Sequence, residues 1–311
     1  MNLVFMGNPS FAVPALEKLA ASENKIVAVV SNPPQKMGRG KKIREMAIAV
    51  KAISMGLHVI QEQDLKSSHF KRELKELNAD LFVVVAFRIL PKSLITIPKF
   101  GSINLHGSLL PAYRGAAPIQ WALINGDEET GLSTFFIAPK VDTGAVICQY
   151  RLPIRSDDNY GALSERMGSL GSELLVKTIN LIKSGSTSAI KQNDNQVTLA
   201  PKITKDMTII DWSKPARELH NLVRGLTPTP GAATIIKGKR IKIQETQVEN
   251  DDNGSNYLPG EITAIKKSIV TVQTGKGYLL IHRVQLEGKK TMDIGSFMNG
   301  FTLNIGDRFG N

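Results

Sequence analysis

Up to about residue 185, short apolar runs alternate with amphipathic stretches, and this rhythm constrains the fold most. A short apolar run predicts a strand buried on both faces, and an amphipathic stretch predicts a helix that covers it. Their alternation predicts a Rossmann-like α/β domain, a parallel sheet with helices on both faces. The predicted strands are Leu3 to Met6, Ile26 to Val30, His58 to Ile60, Leu81 to Ala86, Ser102 to Leu105, and a later pair at Leu132 to Ile137 and Ala145 to Tyr150.

Helices are expected between these strands. A serine oxygen can accept a hydrogen bond from the free N–H groups of a first helical turn, so Ser10 and either Ser67 or Ser68 are candidate caps. The predicted helices are Phe11 to Ala21, Ile43 to Met55, Ser68 to Leu77, Ala117 to Ile124 and Gly161 to Lys183.

After about residue 206 the rhythm changes to short alternating runs separated by glycine-containing turns. This pattern predicts a small OB-like β-barrel, preceded by a helix from Lys214 to Arg224. The predicted strands are Thr234 to Ile236, Arg240 to Gln244, Gly260 to Ala264, Ser268 to Gln273 and Tyr278 to His282. We therefore divide the chain into an α/β domain over 1–185, a polar linker over 186–205 and a barrel over 206–311.

Composition excludes several classes of protein. The single cysteine, Cys148, allows no internal disulfide, and with five histidines in the chain we expect no metal site. The turn from Gly7 to Ser10 lacks the glycine spacing of dinucleotide and phosphate loops. No signal peptide or membrane-spanning run is evident, so we expect a protein of a bacterial cytoplasm, and a monomer.

The formal net charge of +11 favours a polyanionic partner, nucleic acid above all. The densest basic cluster lies in a glycine-containing segment, which we interpret as a loop. Its basic residues are Lys36, Arg39, Lys41, Lys42 and Arg44.

Asn104 and His106 form the candidate site. They stand two positions apart at the end of an apolar run, so on a strand their side chains project from the same face. An amide donor beside an imidazole suits a tetrahedral oxyanion intermediate, and the carboxylate of Asp142 is available to orient the imidazole. The set predicts acyl-group transfer without a nucleophilic Ser or Cys.

Six motifs then resemble one known family in order and approximate spacing. They are Phe5-Met6-Gly7, Gly38-Arg39-Gly40-Lys41-Lys42, Asn104 to Pro111, Arg114 to Gln120, Val141-Asp142-Thr143-Gly144 and Ile210-Asp211-Trp212-Ser213. Along its whole length the chain resembles the folate-dependent formyltransferases, and among them the methionyl-tRNA formyltransferases.

The resemblance implies transfer of a formyl group from 10-formyltetrahydrofolate to the α-amine of methionine on initiator tRNA, with no metal. It implies a catalytic trio of Asn104, His106 and Asp142. It implies that the folate pocket is lined by Ser108, Leu109, Leu110 and Pro111. It implies tRNA contacts from Arg39, Lys41 and Lys42.

Two alternatives remain open. The same trio would serve a folate-dependent formyltransferase acting on a small amine, such as glycinamide ribonucleotide or a sugar nucleotide. A non-catalytic tRNA-binding protein could also keep such a fold. The barrel and the basic segment favour a tRNA acceptor, since a small nucleotide would require neither.

Overall fold

The computed structural model describes residues 1–37, 42–249 and 257–310, with the backbone alone for residues 36, 37 and 42. The chain forms two compact units, each assembled from several segments. The first consists of Met1–Pro118, Thr130–Leu152 and Ser164–Pro201, and the second of Ile119–Glu129, Pro153–Leu163 and Lys202–Asn311. The limits at residues 185 and 205 stay predictions.

The first unit contains a seven-stranded sheet, as the alternating pattern predicted. The strands up to the end of this unit are β1 Asn2–Gly7, β2 Lys25–Ser31, β3 Gln35–Met37, β4 Lys42–Arg44, β5 Val59–Gln61, β6 Leu81–Val85, β7 Ser102–His106, β8 Arg114–Gly115, β9 Glu129–Phe136, β10 Val146–Pro153 and β11 Leu199–Ala200. The sheet order is β10-β9-β7-β6-β1-β2-β5. Five neighbouring strands of the sheet are parallel to one another: β5, β2, β1, β6 and β7. Strand β9 runs antiparallel to β7.

The described residues of the same stretch of sequence form six α-helices. They are α1 Val13–Ala20, α2 Ala47–Ser54, α3 Ser68–Glu76, α4 Lys92–Ile95, α5 Pro118–Asn125 and α6 Tyr160–Lys183. The predicted cap of α3 is confirmed, because the Ser67 side chain accepts a hydrogen bond from Phe70 N. The predicted cap at Ser10 is wrong: a 3₁₀ turn occupies Ser10–Ala12, and α1 begins after Ala12 without a side-chain cap.

The helix predicted over Ile43 to Met55 begins only at Ala47. The residues before it form β4, which pairs antiparallel with β3, so Met37 lies opposite Lys42. Ile43 is largely exposed and contributes little to a core. An apolar residue near a helix suggested the wrong period here, because strand pairing depends on a partner segment that a local pattern does not reveal.

β7 is central to the unit and carries the first candidate residues to the edge of the sheet. It is hydrogen-bonded to β6 on one side and β9 on the other. A Cβ added to Gly171 of α6 would lie 2.6 Å from the Leu105 side chain, so this helix approaches β7 closely. Close packing of this kind holds the strand rigid where the site begins.

The second unit is built on an antiparallel sheet. Its elements are α7 Ala216–Leu226, β12 Ala232–Ile236, β13 Lys239–Glu249, β14 Ile262–Lys266, β15 Ile269–Gln273, β16 Tyr278–Leu286, β17 Met292–Asp293 and α8 Ile294–Met298. The strand order is β12-β13-β16-β15-β14, with β17 beside β16. Its apolar core includes Trp212, Leu219, Val223, Ile243, Ile281 and Phe309.

The C-terminal residues connect the two ends of this sheet. Gly310 N donates to Ile235 O of β12, whereas Phe309 N donates to Gly260 O, just before β14. The buried Phe309 ring stacks on Trp212 with 5.4 Å between ring centroids. The sheet is therefore completed as the small barrel that the sequence predicted. None of the helices in the described residues combines the length and apolarity that a bilayer crossing needs.

Candidate active site

His106 is the last residue of β7 and is 6% exposed. Its Nε2 lies 2.8 Å from the carbonyl oxygen of Tyr113. A carbonyl oxygen only accepts, so Nε2 is the ring nitrogen that carries the proton and donates. The ring also meets Phe135 edge-on, with 6.5 Å between centroids. These contacts fix the orientation of the imidazole.

Asp142 lies in the loop between β9 and β10, with a left-handed backbone (φ 52°). Its Oδ2 is 3.8 Å from Nδ1 of His106, which is an ion-pair distance but too long for a hydrogen bond. The same oxygen accepts a hydrogen bond of 2.9 Å from Gly115 N. The carboxylate therefore acts on the imidazole through its charge, while the hydrogen bond that orients the ring comes from Tyr113.

Asn104 lies on the same face of β7 as His106, since the two are separated by one residue of a strand. Its Oδ1 is buried and has no hydrogen-bond partner among the described residues. Buried side-chain polar atoms are nearly always hydrogen-bonded, so an unpartnered amide oxygen near a histidine marks a place for a ligand group that donates a hydrogen bond. The structure thus brings the three residues of the predicted trio to one end of β7.

The segment after β7 was expected to line the folate pocket, and its polar groups are occupied within the protein. The Ser108 hydroxyl donates to Ala112 O at 2.6 Å, and Leu110 N donates to the Ser133 hydroxyl at 3.0 Å. The Leu110 carbonyl accepts from the Gln149 amide. Ser108 and Leu110 are buried, whereas Leu109 and Pro111 are partly exposed. The segment is therefore rigid, and it offers apolar surface more than free hydrogen-bonding groups.

The predicted tRNA contacts fall on the segment between β3 and β4. Arg39 and Lys41 lie outside the described residues. Lys42 is the first residue of β4, and its side chain is not described. Within the described ranges, no three His, Cys, Asp or Glu side chains converge as a metal ion would require.

The sequence did not point to three residues that hold the trio in place: Tyr113, Gly115 and Gln192. Tyr113 and Gly115 act through backbone atoms, so no side-chain pattern could reveal these contacts. Gln192 donates hydrogen bonds of 2.8 Å to the carbonyls of Asp142 and Gly144. It lies in the polar segment predicted as a linker, where periodicity is weak.

Family models match the chain in two places. A model described as formyl transferase covers residues 1–179, which is more than half of the chain. The chain belongs to the formyl transferase family. The model of this family's C-terminal domain covers residues 202–302, so both compact units contain sequence that is typical of the family.

Full-length relatives agree with this membership. A methionyl-tRNA formyltransferase from Agathobacter rectalis is 41% identical over 310 residues, covering 99% of each chain. One from Porphyromonas gingivalis is 42% identical, covering 98% of this chain and 97% of the relative. Among solved structures, an N-formyltransferase from Helicobacter canadensis, in complex with folinic acid and dTDP-3-aminofucose, matches with a TM-score of 0.67 over 91% of this chain and 98% of its own. Since its sequence is only 23% identical, this structural match shows a shared fold alone.

Proposed function

We propose that this protein transfers the formyl group of 10-formyltetrahydrofolate to the α-amino group of methionine carried on initiator tRNA. The observation that carries the proposal is the match to methionyl-tRNA formyltransferases at about 40% identity over both units. Formyl transferases acting on other amines share the fold, so the fold alone does not select the acceptor. The full-length sequence match favours methionyl-tRNA as the acceptor.

The reaction needs a site that stabilises negative charge on the formyl oxygen. When the amine attacks the formyl carbon, a C–N bond forms and the carbonyl oxygen becomes an oxyanion. We assign its stabilisation to the Asn104 amide and to His106, which share one face of β7. In this assignment Nδ2 of Asn104 donates to the oxyanion, and its buried Oδ1, which has no partner among the described residues, is left to accept an N–H of the attacking amine.

The reaction also moves one proton. The attacking amine must lose a proton, and N10 of the folate must gain one when its bond to the formyl carbon breaks. We assign proton transfer to Asp142 with His106. The carboxylate lies 3.8 Å from Nδ1, and the Tyr113 carbonyl holds Nε2 on the other side. No covalent enzyme intermediate is required.

The folate is proposed to lie against Ser108, Leu109, Leu110 and Pro111. Because the polar groups of Ser108 and Leu110 are hydrogen-bonded within the protein, this contact depends on shape and apolar surface. The partly exposed Leu109 and Pro111 are the candidates for direct contact.

An acceptor assay tests the proposal. Purified protein and 10-formyltetrahydrofolate are incubated with initiator methionyl-tRNA, elongator methionyl-tRNA or glycinamide ribonucleotide. We expect rapid formylation of the initiator tRNA alone. Turnover of the ribonucleotide alone would replace the proposal with a small-amine formyltransferase, and no turnover of any acceptor would favour a non-catalytic tRNA-binding protein.

The basic segment is proposed to contact tRNA phosphates through Arg39, Lys41 and Lys42. Replacing all three with alanine should raise the KM for tRNA and flatten its salt dependence, because fewer counterions are released on binding. The KM for 10-formyltetrahydrofolate should not change. An unaltered salt dependence of tRNA use would contradict this role. A cytoplasmic location and a monomeric state stay predictions.

A further inference from the structure

The loop that carries Asp142 is held by a segment more than forty residues later in the chain. Residues 190–200 lie in the first unit, where Leu199–Ala200 pairs in parallel with Arg114–Gly115. Ile190 forms a further bridge with Val146, at the start of β10. We call residues 190–200 the strap.

Gln192 belongs to the strap, and its side-chain amide uses its full hydrogen-bonding capacity. The side chain is 8% exposed. Nε2 donates to the carbonyls of Asp142 and Gly144, both at 2.8 Å. Oε1 accepts from Nε and Nη2 of Arg114, at 3.0 and 2.8 Å. Since arginine only donates, the oxygen must face Arg114 and the nitrogen must face the two carbonyls.

The conformation of the Asp142 loop needs this support. A left-handed backbone at a residue other than glycine costs free energy, and it persists where neighbours determine it. Gly144 also lies so close to β9 that a Cβ there would overlap Phe136 O. Two hydrogen bonds from one buried amide fix the backbone on either side of Thr143.

Arg114 and Gly115 connect the strap to the carboxylate itself. Arg114 binds Gln192 and also pairs with Asp194 at 2.9 Å. The next backbone N–H, that of Gly115, donates to Oδ2 of Asp142. A Cβ on Gly115 would lie 2.5 Å from Ala200 O, so the strap and this strand are in close contact. One cluster therefore holds both the backbone and the carboxylate of Asp142.

Resting on the function proposed above, we infer that Gln192, oriented by Arg114, is a positioning residue that sets the carboxylate of Asp142 opposite His106. It acts through Asp142, and its removal displaces the carboxylate without removing a group that acts on the formyl carbon. A displacement of about 1 Å costs about 100-fold in rate. The expected loss is in kcat, with both KM values unchanged.

Gln192→Ala tests the inference, with Gln196→Ala as the matched control. Gln196 is an exposed glutamine of the same strap, so it undergoes the same chemical change. We expect kcat to fall about 10- to 100-fold in Gln192→Ala and to stay unchanged in the control. Gln192→Glu keeps an oxygen for Arg114 but loses both donors, so it should be impaired equally. Full activity in either Gln192 variant would overturn the inference.

Two further measurements separate positioning from loss of folding. In an Asp142→Asn background, adding Gln192→Ala should cost less than about twofold, because neighbours that act as a unit are not additive. A full additive loss would contradict the inference. A crystal structure of Gln192→Ala should show the bond between Asp142 and Gly115 N broken, and its retention at 2.9 Å would overturn the inference whatever the acceptor. A wild-type protein that does not formylate initiator tRNA would refute the proposed function separately.

Discussion

Two histidines, one in each compact unit, have nearly opposite surroundings. His106 at the end of β7 has a carboxylate 3.8 Å from one ring nitrogen and a carbonyl 2.8 Å from the other. His220 on α7 donates to or accepts from the Thr246 hydroxyl at 2.9 Å. Burial, which is the largest cause, and the positive charges of Arg224 and Arg217 together lower the pKa of His220 to about 4.

The difference shows that burial alone does not distinguish a candidate catalytic histidine from a structural one. Both side chains are largely enclosed, but acceptors surround His106 whereas cations and a hydroxyl surround His220. A positive charge on the His220 imidazole is opposed by its neighbours. His220 is therefore neutral at physiological pH, and we interpret it as a structural residue.

The largest expected difference in activity comes from replacing each histidine with alanine. His106→Ala should lower kcat/KM for initiator methionyl-tRNA about 1,000-fold or more, since it removes charge stabilisation and a proton carrier together. His220→Ala should lower the melting temperature while leaving turnover unchanged. Steady-state kinetics below the melting temperature of both variants measure this. Comparable losses in the two would remove the distinction drawn between the histidines.

A smaller effect is expected at two asparagines, one in each unit. Asn104→Ala should reduce kcat about 100-fold, because one oxyanion donor is lost. Asn221→Ala, a buried residue of α7, removes the same group from the second unit and should affect stability only. Equal kcat in Asn104→Ala and wild-type protein would show that the Asn104 side chain does not bind the formyl oxygen.

The smallest effect is a dependence of stability on pH. The pKa of His220 is about 4 in the folded protein, against an ordinary value of 6.5. Between these values the unfolded chain binds a proton that the folded chain does not, so stability is complete above pH 6.5 and falls as pH drops towards 4. With a discount for partial exposure, the loss is about 1–2 kcal/mol.

Denaturant unfolding at pH 7.5 and pH 4.5 checks this for wild type and His220→Gln. Glutamine cannot titrate and can still bond to Thr246. The variant should lose less stability over this range than the wild type does. An identical loss in both proteins would mean that His220 is not the residue responsible.

Much of the fold followed from local pattern. The runs at Leu3 to Met6 and Ile26 to Val30 became strands because fully buried parallel strands are continuously apolar, and periodicity records burial directly. The prediction that a helix begins at Ile43 was wrong, because this residue belongs to β4, and β4 depends on pairing with β3. A pairing partner is not visible in a window of the size that periodicity uses.

The side chains of the candidate site could be predicted from the sequence, whereas its backbone contacts could not. Asn104 and His106 are separated by one residue, so their common face follows from strand geometry. The orientation of His106 by the Tyr113 carbonyl, and of Asp142 by Gly115 N, could not be predicted, because backbone groups carry no sequence signal. The strap was predicted as part of a polar linker, since the residues it pairs with are about 85 positions earlier.

The contacts of residues 306–310 have a consequence for how the chain folds as it is synthesised. These residues supply hydrogen bonds to both end strands of the antiparallel sheet, and Phe309 fills the space beside Trp212. Until they leave the ribosome, β12 and β14 present unpaired backbone groups, which are templates for association with other chains. The first unit can fold before residues 306–310 have been synthesised, whereas the barrel can be completed only after these residues have left the ribosome.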